Sequence, residues 1–224
     1  MEAPSDLPAF LDWLRLRTEA AWSTVTPATL AEYRRRQVGG TQVQRGTRWH
    51  PLTEREVEEV EAREGRLPPS LRLYLLRLGG TDRPEVGATF VGAVLQPVER
   101  PFFYDWRRPE QIAAARAEVL DGLCFDAEHN AWWPNGVARP SSAKERSQAL
   151  EAVLDGAPRL WPLVGHRHLV GDDGVVLSIH QTDVIVWGND LRTALLNELG
   201  PALGLGGAFS AAALPPLPFW GDFS

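Results

Sequence analysis

The chain has 224 residues, 44% hydrophobic and 23% charged, which is apolar enough to bury a sizeable core in one domain with extensions. Its net charge of −6 disfavours whole-protein attraction to nucleic acid or anionic membrane, because both reward clustered cations. A single cysteine, Cys124, excludes an intrachain disulfide framework and fits a reducing compartment. The N-terminal MEAPSDLPAFLDWLRLRTEAAW carries acids and prolines where a signal peptide needs a basic region and an unbroken apolar run. No segment approaches the roughly 18 apolar residues of a membrane span, so cytoplasm is the expected location.

The spacing of Leu7, Phe10, Leu11, Leu14 and Ala21 predicts a helix up to Trp22, and Pro27, Leu30 and Tyr33 start a second helical pattern. Residues 1–45 therefore read as a helical extension, set off by the glycine-containing linker Val38 to Gly46. In TEREVEEVEAREG, Thr53 followed three residues later by Glu56 signals a capping box. Glu54, Glu56, Glu58, Glu59, Glu61 and Glu64 then form a solvated acidic face opposite Val57 and Val60.

LPPSLRLYLLRLGG places prolines at the entry of the next helix and glycines at its exit. ATFVGAVLQPVE reads as a strand, RPFFYDW as an aromatic loop or short strand and PEQIAAARAEVLDG as a helix, with GLCFD and AWWP as two short strands. SSAKERSQALEAVLDG and NDLRTALLNELG are helical patterns, and the tail over 201–224 is rich in Pro, Gly and Ala, with Phe219 and Trp220 docking it on the body. The mixture without strict alternation predicts an α+β fold, with one domain over 46–200.

WPLVGHRHLVGDDGVVLSIHQTDVIVWG holds three of the five histidines. On one strand, His166 and His168 would share a face, and His180 and Asp183 could complete a zinc-type set as the metal centre of a hydrolase. A two- or four-residue loop at GDDG instead sets His180 on the opposite face, whereas a three-residue loop would set His166 against His180. In the even register Arg167, His180 and Asp183 share a face, and an Arg167–Asp183 pair explains the charges without a ligand. Trp132 and Trp133, if on a strand, face opposite sides, so one is a candidate interface residue unless the N-terminal helices or the tail cover it. Cys124 with His129 reads as a small buried thiol rather than a nucleophile and base.

The run TEREVEEVEAREGRLPPSLRLYLLRLGGTD resembles the signature of the SUKH superfamily, which contains the fungal cell-wall-synthesis regulators and many bacterial immunity proteins. Glu61 matches its patterned glutamate, Leu67 and Pro68 the Leu-Pro step, Tyr74 the aromatic and Gly79 with Gly80 the terminus, while Trp49 also fits. APRLWPLVGHRHLV, VLSIHQTDVIVWGNDL and PPLPFWGDF are similar to a bacterial subgroup with a Gly-His-Arg strand and a Gln-Thr-Asp turn, which adds Arg167 and Asp183 to the fold signature.

The resemblance implies a central, mixed, mainly antiparallel sheet with helices packed against it. It implies a non-enzymatic protein-binding module, an immunity protein that neutralises a toxin, often a nuclease, by direct binding, with Trp132, Trp133, His166 and His168 as candidate contacts. No catalytic residue, cofactor, metal, nucleic-acid or membrane partner is implied. The alternatives are a metal-dependent hydrolase using His166, His168, His180 and Asp183, and a regulatory scaffold.

Overall fold

The computed structural model describes residues 2–24, 46–91, 94–172, 174–205 and 217–222. The chain is α+β, in two compact units: residues 1–67 with 72–108, and residues 68–71 with 109–224. The boundary between the two units, near residue 108, falls inside the span 46–200 that the sequence reads as one domain. Among the described residues, no helix is long and apolar enough to cross a membrane. The second helical pattern, at Pro27 to Tyr33, and the linker up to residue 45 lie outside the described residues.

In the first unit, helix α1 (Leu7–Trp22) is capped by Asp6, whose carboxylate accepts from Ala9 N at 3.1 Å. This helix is part of the core rather than an appendage. Its Thr18 Oγ1 accepts from Trp49 Nε1 at 2.7 Å, and the Trp49 ring lies 5.3 Å from Trp22 and 4.6 Å from Phe103. Strand β1 (Trp49–His50) leads into helix α2 (Glu54–Glu64), which has the expected Thr53/Glu56 capping box.

Helix α3 (Pro69–Arg77) ends at Gly79, whose φ of +61° is left-handed and whose Cβ, if present, would lie 2.4 Å from the His50 carbonyl oxygen. Strand β2 (Gly80–Thr81) pairs with β1. The predicted strand around residues 88–99 is a hairpin, β3 (Glu85–Val91) against β4 (Val94–Arg100), closed between Val91 and Val94. The segment after it is the expected aromatic loop, with Phe103, Tyr104 and Trp106 buried.

In the second unit, helix α4 (Pro109–His129) runs straight through GLCFD, which is therefore not a strand. Ile112, Ala115, Val119, Leu123 and Ala127 recur at helical spacing and are all buried, so one stripe spans the whole helix. Gly122 is tolerated because its Cα faces the backbone of Gln181, only 3.1 Å from where a Cβ would stand. The helix stops at Asn130, and Ala131 turns the chain with a left-handed φ of 57°.

Glycine meets no Cβ strain in that conformation, so Ala131→Gly is expected to raise stability by about 1 kcal/mol, read as a higher urea midpoint. AWWP is irregular rather than a strand. Helix α5 (Ala143–Gly156) begins with a second capping box, Ser142 with Glu145.

The histidine-bearing segment forms four strands, β5 (Leu160–Val164), β6 (Arg167–Val170), β7 (Val176–His180) and β8 (Asp183–Gly188), in that spatial order and all antiparallel. Gly165, at φ 51°, breaks the presumed first strand into two. Helix α6 (Leu191–Leu199) follows, capped by Asp190. The expected central mixed sheet is thus three separate antiparallel sheets, and parallel pairing is confined, among the described residues, to the bridge His50↔Gly79.

One face of the β5–β8 sheet packs Val170, Leu177, Ile179, Val184 and Val186 against Val119, Leu123, Ala127 and Leu150. Trp220 completes this cluster; it is 0% exposed and donates from Nε1 to Pro158 O at 3.2 Å.

Candidate functional site

The register at the histidines is the even one. Arg167 pairs with Ser178, His168 with Leu177 and His180 with Asp183, and Val170 N donates to Val175 O across a four-residue loop. His168 therefore lies on the core face and Arg167 on the other, since side chains alternate along a strand. His166 and His168 do not share a strand face, because His166 sits in the β5–β6 turn.

Both that turn and the Gln181–Thr182 turn lie at the same end of the sheet. The rings of His166 and His180 consequently meet there, with centroids 6.0 Å apart and both side chains exposed.

His168 was expected at a contact surface, but it is 2% exposed and cannot be presented to a partner. Its ring faces the backbone of His166 and Ala115 without closing a well-aligned hydrogen bond. Burial pulls its pKa down to about 4, aided by the nearby charges of His166 and Arg116 and opposed by the two backbone groups.

Its proton therefore binds the unfolded chain first. Nothing is lost above the unfolded value near 6.5, stability falls as pH drops through the interval down to about 4, and the full loss is about 3 kcal/mol. Comparing urea unfolding near pH 7 and near pH 4, His168→Leu should abolish that share of the acid sensitivity.

Arg167 does not pair with Asp183. Its Nε lies 3.1 Å from Glu198 Oε2 on α6, its guanidinium carbon stands 4.1 Å from the Trp187 ring centroid, and its Nη1 is 2.8 Å from His166 Nδ1. Both partners of the pair are only 11% exposed. Burial pulls the Arg167 pKa down against the attraction of Glu198, and burial pushes Glu198 up against that of Arg167. In each case desolvation outweighs the attraction, so the pair neutralises a buried arginine rather than adding stability.

Asp183 is left exposed across from His180, with no ion pair or side-chain hydrogen bond among the described residues. Ile185, two residues on and so on the same face of β8, is 37% exposed.

Asp126, which the sequence reading did not single out, fixes this end of the sheet. It accepts from Thr182 N at 2.9 Å and Thr182 Oγ1 at 2.6 Å, and from Asn130 Nδ2. Burial pushes its pKa up, but these donors outweigh that and hold the carboxyl below its ordinary range. The turn that carries Gln181, with its left-handed φ of 57°, is thereby tied to α4.

Trp132 and Trp133 are both half-buried and both pack on the sheet's core, and Trp133 Nε1 donates to Val137 O at 2.9 Å. The opposite-face arrangement expected of a strand does not arise. Among the described residues no three or more His, Cys, Asp or Glu side chains come together as metal ligands, and the buried His168 is on the wrong face to join His166, His180 and Asp183.

The turn between α2 and α3 is closed by Glu61. Glu61 Oε1 accepts from Leu67 N at 3.3 Å, and its other oxygen lies 3.7 Å from Arg72 Nε, so one carboxylate spans the Leu-Pro turn from α2 to α3. Trp49, Leu67 and Tyr74 are buried, and burial raises the pKa of the Tyr74 hydroxyl, which has no hydrogen-bond partner among the described residues. No protein-family model, no curated protein and no solved structure matches this chain.

Proposed function

We propose that the chain is a non-enzymatic protein-binding module of the SUKH-like kind, an immunity protein that neutralises a toxin by direct binding in the cytoplasm. The observation that carries this reading is the closure of the helix pair by Glu61 onto Leu67 and Arg72. It gives the residues of the resemblance one shared structural task. That task is building the fold, which leaves the exposed end of the β5–β8 sheet, with His166, His180, Asp183 and Ile185, as the surface offered to a partner.

A surface built on strands and tied down by Asp126 and the Arg167–Glu198 pair is held rigid before contact, which lowers the ordering cost of binding. The charge of −6 supports a cationic partner such as a nuclease, since complementary charge speeds encounter. Co-expression with the toxin-like product of a neighbouring gene should restore growth of the producing cell. Failure to protect against, or bind, every such product would overturn the reading.

A further inference from the structure

We infer that His166, His180, Asp183 and Ile185 form a docking surface for an arginine side chain of a protein partner. Asp183 is exposed and makes no ion pair or side-chain hydrogen bond among the described residues, so its charge is available. Arg167, on the same face, is already matched by Glu198 of α6. What this end of the sheet presents is therefore the Asp183 carboxylate, paired across the turn with His180, whose ring centroid lies 6.0 Å from that of His166.

Arg167 Nη1 lies against His166 as a donor, since arginine has no acceptor, which fixes that ring. Ile185, on the Asp183 face of β8, offers an apolar contact for an aliphatic stem. A long stem ending in a planar cation is the side chain that uses a carboxylate, flat rings and an apolar patch together. The acidic balance of the whole chain draws such a partner in.

The inference rests on the protein-binding reading for the existence of a partner, but its chemistry can be read without one. The full chain, isotope-labelled, is titrated with the capped peptide acetyl-Leu-Arg-Leu-amide and with its citrulline counterpart, which keeps the shape and removes the charge. Saturable shifts of the His166 and His180 imidazoles and the Asp183 amide are expected with the arginine peptide. Binding should weaken about tenfold with citrulline or with Asp183→Asn, and should be unchanged in His129→Ala.

Equal binding by the citrulline peptide, an unaffected Asp183→Asn variant or an absence of saturation would overturn the inference. Peptide failure alongside binding of a neighbouring gene product would leave the module reading standing and remove this site. Peptide binding without any such partner would do the reverse.

Discussion

Trp220→Ala is expected to destabilise the second unit by about 3–5 kcal/mol, the cost of emptying a fully buried tryptophan site. The ring is 0% exposed and sits among Val119, Leu123, Leu150, Leu177 and Val184, so its removal opens a cavity between sheet and helices. The Pro158 carbonyl also loses its donor. Amide hydrogen exchange of β7 and β8 reports on this unit alone, and their protection should fall by several orders of magnitude, with Trp220→Phe intermediate. Unchanged protection in the alanine variant would mean that the tail is not part of this core.

Glu198→Ala should cost a similar amount, about 3–5 kcal/mol, because it strands the Arg167 guanidinium in a site only 11% exposed. The pKa directions of both partners say that desolvation exceeds their attraction. Replacing both together, Arg167→Met with Glu198→Leu, should therefore recover most of the loss. A double-mutant cycle by denaturant unfolding checks this. A double variant as unstable as the single one would show that the pair contributes by itself.

The helices were legible wherever capping chemistry and apolar spacing agreed, as at Thr53/Glu56 and Ser142/Glu145. GLCFD misled because a glycine beside Leu123, Cys124 and Phe125 looks like a strand start. Only the longer stripe from Ile112 to Ala127 shows the helix continuing. The register at the histidines followed from loop length, but the break at Gly165 did not, because a glycine inside a β-rich run does not announce whether it bulges or turns.

The residues that hold the candidate site were the least legible, although a signal existed. Asp126 lies seven residues after Val119, and Glu198 seven after Leu191, so each acid stands on the buried stripe of its own helix. A carboxylate on such a stripe needs a buried partner, and the two partners turned out to be Thr182 and Arg167. The sequence could not supply those identities, because they depend on which strand each helix crosses. Pairing Arg167 with Asp183 was the reasonable local choice, and tertiary packing of α6 overrode it.

The most direct measurement is isothermal titration of the full chain with the purified product of each toxin-like gene found beside its own. Saturable binding near equal stoichiometry, weakened by Asp183→Asn and by added salt, is the result this account predicts. No heat of binding with any neighbouring product, under conditions where both proteins are folded, would contradict it.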